Sequence, residues 1–366
     1  VHNVINKTQA VRIAIMGAGL IGERHARLAE AHPDVELAAI IDPDPKKSTL
    51  AAELNCEHFN SLTDIAPNIC DAVVIATPNS DHLKSGLQCL EMGLPCLIEK
   101  PIADTVENAE KLAVAFENQN IPLLIGHHRR YHHFSTRAKD IIEKNKLGRP
   151  ILASIIWAVR KPDSYFKQGV WRTKSDGGPL LINFIHEADL LLYIFGKVIN
   201  VQATTSNRQR KQSVEDTAAI ILTFETGVIA TVVLSDTALT PWSFEGACGE
   251  NPNIAETGIS SWRIGCTEGA FDFPNLNIWT DSENGIGDWS RKLKSQTQQV
   301  SQVDPLYDQL SHFVELIRGT AKKPICSGRD GLEALRLVEW IKRSADTSHF
   351  SNADVTSPLD IKKRLA

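Results

Sequence analysis

The sequence predicts an α/β chain: an N-terminal doubly wound parallel sheet, followed by an α+β unit on a mostly antiparallel sheet. Three observations carry this. Apolar runs and helical segments alternate strictly over the first 126 residues, the pattern of a parallel sheet covered on both faces. A Gly-x-Gly-x-x-Gly run lies between the first strand and the first helix, the context that gives it meaning. Near residue 126 the pattern changes to longer alternating strands that meet at short turns. A chain of 366 residues exceeds the ~150 typical of one domain, and the change of pattern divides it into 1–126 and 127–366.

Taken in order, strands are expected at Val11 to Met16, Val35 to Ile41, Asp71 to Ala76, Pro95 to Glu99 and Ile121 to Ile125. The intervening helices run from Leu20 to Ala31, Pro45 to Leu54, Ser80 to Met92 and Ala103 to Asn118, with Asp104 as the N-cap of the last. In the second part, Leu180 to Phe195 reads as an apolar helix. Thr217 to Glu225 and Val228 to Asp236 form a hairpin around Thr226-Gly227. Further strands are expected at Trp242 to Gly249, Ser261 to Thr267, Ala270 to Phe273 and Leu276 to Thr280, then helices at Pro305 to Arg318 and Asp330 to Ser344. Gln296 to Gln302 reads as a polar loop and the tail from Ser348 as loose.

Composition narrows the function. Hydrophobic residues make up 42% and charged residues 23%, an ordinary globular balance. The net charge of −5 offers no basic surplus for a phosphate backbone, which argues against nucleic-acid binding. No apolar stretch reaches the ~18 residues of a membrane span, and the first seven residues do not read as a signal peptide. Seven cysteines without a Cys-x-x-Cys pair argue against a disulfide framework or structural zinc, and for reduced thiols in the cytoplasm.

The glycine run is Gly17-Ala18-Gly19-Leu20-Ile21-Gly22. Gly17 permits the tight turn, Gly19 lets a pyrophosphate approach the backbone, and Gly22 allows close packing. The amides at the helix start, Leu20 and Ile21 among them, face the phosphates. Asp42 ends the second strand about 20 residues beyond the last glycine, where a carboxylate accepts ribose hydroxyls and repels a 2′-phosphate. NAD is therefore expected over NADP, although Lys46 and Lys47 lie close in sequence. Glu99-Lys100-Pro101 ends the fifth strand, where ligands bind in such sheets. Lys100 there is either a proton-transfer group or a surface lysine paired with Glu99.

The run His127-His128-Arg129-Arg130-Tyr131-His132-His133 reads as a cleft-lining anion or substrate segment, with a solvated face as the alternative. Arginines interrupt it and no acidic ligand adjoins its histidines, so no metal is expected. On the apolar helix, Asn183, His186 and Asp189 share one broad face, which is expected to point at the substrate cavity.

The glycine run, Ala76-Thr77-Pro78-Asn79-Ser80-Asp81-His82, Glu99-Lys100-Pro101, and Gly177-Gly178 leading to His186-x-x-Asp189, in this order, resemble the glucose–fructose oxidoreductase/inositol dehydrogenase/MocA family. Val214-Glu215-Asp216-Thr217 and Gly328-Arg329-Asp330-Gly331 extend the resemblance over nearly the whole chain. It implies an NAD(P)-dependent dehydrogenase of sugars, cyclitols or related compounds. It also implies an open-faced second sheet through which homodimers or homotetramers form. By the same resemblance Lys100 and His186 are the catalytic pair. Thr77, Pro78, Asn79, His82 and Glu99 lie on the cofactor side. Asn183, Arg130, Tyr131, Trp171 and Arg172 lie on the substrate side, and the Lys100–Pro101 bond is cis. One position departs. Many polyol-oxidising members have Asp four residues before the histidine, and here it is Ile182. His186, whose imidazole titrates near neutrality, is the expected proton-transfer group, with Lys100 supplying charge to the alkoxide. Two other readings use the same fold: an NAD-dependent glycosidase and a non-catalytic nucleotide-binding regulator.

Overall fold

The computed structural model describes residues 9–66, 68–174, 177–283, 287–301 and 303–347. The expectations for the first seven residues and for the tail from Ser348 lie outside them. Strands β1 (Val11–Met16), β2 (Val35–Ile41), β3 (Glu57–Phe59), β4 (Ala72–Ile75), β5 (Cys96–Ile98) and β6 (Leu123–Ile125) form one sheet in the order β3-β2-β1-β4-β5-β6. All its pairs are parallel. Helices α1 (Leu20–Ala31), α2 (Lys47–Glu53), α3 (His82–Glu91) and α4 (Val106–Gln119) belong to the crossovers. Strands β4, β5 and β6 are buried at every residue, which is why they read as unbroken apolar runs. The strand order reverses between β1 and β4, and such a switch point opens a crevice at the strands' carboxyl ends. Two expectations change here. The cap of α4 is Thr105, whose hydroxyl accepts the Asn108 N–H, while Asp104 accepts from the Asn108 side chain. Strand β3 has three residues at the sheet edge, too few to show a period.

Helix α5 (His133–Glu143) leads into the second sheet. Its strands are β7 (Pro150–Ala158), β8 (Val198–Ser206), β9 (Thr217–Phe224), β10 (Ile229–Ser235), β11 (Trp262–Cys266), β12 (Gly269–Phe273), β13 (Asn277–Asp281) and β14 (Leu293–Thr297). The order is β14-β13-β12-β11-β7-β10-β9-β8. Among the described residues every pairing is antiparallel except β10 with β7. Short helix α6 (Asp163–Lys167) follows β7, and α7 (Ile185–Phe195) precedes β8. On β7, β9 and β10, Ile155, Ile220 and Val232 are buried, whereas Leu152, Ile221, Ile229 and Val233 are exposed. One face of the sheet is thus apolar and uncovered by the described residues.

The expected strand from Trp242 to Gly249 is instead helix α8 (Phe244–Cys248). The Ser243 hydroxyl accepts the Gly246 N–H at its start, and Gly249 ends it with φ +67°, the usual punctuation of a helix. The expected loop from Gln296 overlaps β14, where Gln296 and Thr297 pair with Ile278 and Asn277. Every residue of β14 is exposed, so no apolar period marks it.

The last helices, α9 (Pro305–Ile317) and α10 (Gly328–Thr347), return to the first sheet. Leu310, Phe313 and Val314 of α9 share a core with Val11, Ile13 and Ala26. Gly328 of α10 packs closely on Leu123 and Ala113. More than four helical turns further on, the Ser344 hydroxyl donates to the Val201 carbonyl of β8. Helix α10 therefore ties one sheet to the other.

Candidate active site

The glycine turn is built for close approach. Gly17 has φ +87°, and a Cβ there would lie 2.7 Å from backbone atoms of Ala76 and Thr77. A Cβ at Gly22 would strike the Gly17 carbonyl at 1.8 Å. Around Gly19 there is open space, with nothing within 4 Å of a Cβ. Gly19 is also the N-cap of α1 and brings no side-chain acceptor. Leu20 is exposed and Ile21 half-buried beside it. The Asp42 carboxylate accepts the Ala18 N–H at 2.7 Å and the Asp44 N–H at 2.9 Å, which fixes it beside the turn with acceptor capacity left over. Across the crevice, Thr77 carries a buried hydroxyl that finds no partner among the described residues. Pro78 is exposed and Asn79 opens a 3-10 turn. These features fit a dinucleotide: uncapped helix amides, space for phosphate at Gly19, and a hydroxyl awaiting a partner. His82 is a correction. It is fully buried, and its ring spans the Pro101 and Thr77 carbonyls at 2.8 and 3.0 Å, so it braces the loop from behind.

Glu99 turns away from the Lys100 ammonium. Its carboxylate accepts from His25 at 2.7 Å and from the Lys100 backbone N–H at 3.2 Å. Burial raises its pKa, but the His25 hydrogen bond and the charges of His25, His128 and Lys100 together hold it at about 2. The Lys100 ammonium donates to the Ile182 carbonyl at 3.2 Å, across the crevice. The reading of a surface lysine paired with Glu99 does not survive this. Burial draws the Lys100 pKa down, with Arg129 adding to it and Glu99 opposing. The Lys100–Pro101 bond is cis, as expected.

The helix expected from Leu180 begins as a π-helical turn, Leu180–Phe184, and becomes α-helical at Ile185. Such wide turns recur at functional sites. Asn183 on this turn accepts from the Lys161 ammonium at 2.7 Å. Lys161 lies in turn 5.0 Å from the Tyr165 ring, on which the Arg172 guanidinium stacks at 3.9 Å. Arg172 thus reaches the site through Tyr165 and Lys161, while Trp171 beside it is about half exposed. Lys161 had no signal in the sequence beyond its charge.

His186 is 8% exposed, and its Nδ1 has no partner among the described residues. Its ring meets that of His128 edge-on at 5.3 Å and that of His127 at 6.2 Å. Burial, then the charges of Lys100, Arg129 and His128, push its pKa well below the ordinary histidine value. Burial among these charges therefore moves it away from the expectation that it titrates near neutrality. Asp189 does not join it in the cavity. It is fully buried and receives Arg130 through Nε at 3.0 Å and a second nitrogen at 2.7 Å. Arg130 also donates to the Ile325 carbonyl at 2.8 Å, and Tyr131 is buried beside it. Both residues, expected on the substrate side, belong to the packed layer.

Neighbouring Arg129 sits in a carboxylate cage: it donates to Glu187 at 2.9 Å, Glu245 at 2.6 Å and Glu250 at 3.1 Å. The indoles of Trp262 and Trp157 donate to Glu187 and Glu245, each at 2.8 Å. Local sequence carried no sign of this cage, because its acids lie far along the chain. Among the described residues no group of three or more His, Cys, Asp or Glu is arranged to hold a metal ion.

Residues 11–127 match the family model described as an oxidoreductase family with an NAD-binding Rossmann fold, and residues 135–271 match that of the GFO/IDH/MocA C-terminal domain. The chain is 32% identical to 1,5-anhydro-D-fructose reductase of Ensifer adhaerens, over 78% of this chain and 80% of that protein. It is 30% identical to the rhizopine catabolism protein MocA of Rhizobium meliloti, over 51% of this chain and only 57% of that protein. An oxidoreductase from Agrobacterium radiobacter, solved in complex with NAD+, L-tartaric acid and magnesium, shares the fold at a TM-score of 0.75 and 19% identity, over 93% of this chain and 97% of that one.

Proposed function

Since this chain belongs to the GFO/IDH/MocA family of oxidoreductases, we propose that it is an NAD-dependent dehydrogenase acting on a CH–OH or C=O group of a sugar, cyclitol or related small polar compound. The observation that carries this is the reach of Lys100 across the crevice to the Ile182 carbonyl, four residues before His186. The Lys100 charge acts on His186, and Lys100 stands at the carboxyl ends of the parallel strands, so two groups suited to proton and charge transfer would serve one crevice.

When bound, NAD supplies the hydride chemistry. The chain supplies the rest. The amides from Gly17 to Gly22 hold the pyrophosphate, Asp42 holds the adenosine ribose, and Thr77, Pro78 and Asn79 line the cofactor side. Asp42 and Asp44 place negative charge where a 2′-phosphate would lie, so NAD is preferred to NADP. Neutral His186 takes the substrate hydroxyl proton during oxidation and returns it during reduction. The Lys100 ammonium stabilises the developing alkoxide. Asn183, Trp171 and Arg172 bind the substrate. The apolar face with Leu152, Ile221, Ile229 and Val233 joins copies into a homodimer or homotetramer. Seven free cysteines fit a reducing cytoplasm.

The test is a panel of sugars, cyclitols and their keto forms, followed by NADH absorbance. Turnover with at least one of them is expected. NAD binding without turnover on any would turn the reading toward a nucleotide-binding regulator. Aglycone release without net NADH would turn it toward a glycosidase.

A further inference from the structure

Two ammonium groups reach adjacent residues of the π-helical turn. Lys100 donates to the Ile182 carbonyl at 3.2 Å, and Lys161 donates to the Asn183 side-chain oxygen at 2.7 Å. The Lys161 side chain is 10% exposed, and Asp236 lies 3.6 Å from its ammonium. Asp236 is already engaged by Arg210, whose Nε donates to it at 2.8 Å. Glu245 attracts Lys161 from farther off, but Arg129 and Trp157 hold that carboxylate. Among the described residues neither Lys100 nor Arg172 forms an ion pair; their hydrogen bonds go to backbone carbonyls. Arg172 lies 3.9 Å from the centre of the Tyr165 ring, and Lys161 lies 5.0 Å from the same ring. Arg172 Nε is buried and meets no acceptor among the described residues. A Cβ on Gly169 would lie 3.1 Å from Arg172 Nε and 3.1 Å from Trp171 Nε1, so two N–H donors crowd a residue without a side chain. Lys161, Arg172, Arg210 and Lys100 thus gather around one buried carboxylate. Buried cations are costly unless counter-charge reaches them. Burial draws the Lys161 pKa down to about 8 against the pull of Asp236, the direction of a cation short of such charge.

We propose that the substrate carries an anionic oxygen group and that Lys161, with Arg172 beside it, is the specificity-determining residue that recognises it. This rests on the dehydrogenase reading above and narrows its substrate class from polar compounds at large to acids. A sugar or hydroxy acid with a carboxylate and a sugar phosphate offer the same oxygen chemistry. The reacting hydroxyl stays at Lys100. The anion lies at the neighbouring residue of the turn, where Asn183 orients the Lys161 ammonium. That ammonium has three N–H donors and gives one of them to Asn183, so donors remain for a ligand oxygen. Arg172 adds the Nε–H that lacks an acceptor, and charge-assisted bonds of this kind are about twice as strong as neutral ones. A neutral polyol leaves the cations uncompensated. An acid supplies the missing charge.

Matched ligands test this: neutral sugars, the same sugars with a terminal CH2OH oxidised to carboxylate, and their phosphate esters. Binding is read by calorimetry with NADH present, and turnover by NADH absorbance. The wild type should bind an acid at least roughly tenfold more tightly than its neutral parent. Carboxylate over phosphate identifies a sugar or hydroxy acid as the source, and the reverse identifies a sugar phosphate. Lys161→Met keeps the stem packed on Tyr165 and leaves Asp236 to Arg210, so it should fold. It should remove most of the acid's advantage, in KM more than in kcat, and Lys161→Arg should restore part of it. Arg172→Gln, which breaks no ion pair among the described residues, should reduce the same advantage and serves if Lys161→Met does not fold. Neutral parents bound as tightly as the acids by the wild type, or an advantage unchanged in Lys161→Met or in Arg172→Gln, would overturn the proposal. Failure of the dehydrogenase reading looks different: acids bind with the expected preference, and none is turned over.

Discussion

Arg130 offers the clearest division between a binding residue and a packing residue. Its side chain is 4% exposed and that of Asp189 is 1% exposed. The pair is bidentate at 2.7–3.0 Å, with a further bond from Arg130 to the Ile325 carbonyl at 2.8 Å. Arg130→Met leaves Asp189 buried, with His127 Nδ1 at 3.8 Å and Cys326 Sγ at 3.9 Å as its nearest remaining partners. Removing one member of a buried ion pair costs about 3–5 kcal/mol, because the other charge stays desolvated. That is a third or more of the ~5–15 kcal/mol that holds a domain folded. Asp189→Asn should cost a similar amount, since it strands the guanidinium beside half-exposed Asp330 at 3.2 Å. The double variant Arg130→Met/Asp189→Leu should recover most of the loss, giving a coupling of several kcal/mol. Urea unfolding of the four proteins measures this. NAD affinity and substrate KM should stay near wild type in Arg130→Met, any loss appearing in kcat. Wild-type stability together with a raised KM would refute the packing role and return Arg130 to the substrate.

Three further outcomes are expected. Lys100→Ala should lower turnover by roughly 10²-fold with NAD affinity little changed; an active variant would demote the Glu-Lys-Pro strand end to a structural feature. Asp42→Ser should narrow a wild-type preference for NAD over NADP, read by titrating both at equal salt, and equal wild-type affinities would remove the premise. Burial pulls the Lys161 pKa from 10.5 to about 8, against the pull of Asp236. The unfolded chain therefore binds more protons between those values, so stability should rise with pH across that window. Lys161→Met should flatten the rise, and identical slopes in the two proteins would contradict it.

The first sheet was legible, apart from edge strand β3, because its central strands are buried on both faces and its turn needs glycine both for the positive φ of Gly17 and for the close approach at Gly22. The second was legible in part: β9 to β13 follow expected strands, whereas β7 and β8 were not expected although alternate residues of each are buried. Strand β14 is exposed throughout, and α8 is five residues long, so neither leaves a period to read. In the site, Lys100 was visible from its place at a strand end. The histidine–arginine run was not, because His128–Tyr131 forms a 3-10 turn. At three residues per turn, successive side chains point to three different sides. His128 therefore faces His186 and Glu250, Arg129 faces the carboxylate cage, and Arg130 faces Asp189. A contiguous run in the sequence thus turns to different partners, with Glu250 shared between His128 and Arg129.

That divergence also explains the aim of His186. On an α-helix successive residues turn by about 100°. Glu187 therefore lies about 100° to one side of His186, and Asp189, three residues on, about 60° to the other. Arg129 holds Glu187 and Arg130 holds Asp189, at 2.9 and 2.7 Å. Two adjacent arginines on a tight turn thus grip two acids on either flank of the histidine, and the rotation of α7 about its axis is fixed between them. The Arg-Arg pair and the His-Glu-x-Asp helix are complementary halves of one clamp, 58 and 59 residues apart in the chain. Neither half alone reveals it: in isolation the arginines look like an anion site and the acids like a polar stripe. The cations and acids near His186 thus position the helix and set the imidazole between them.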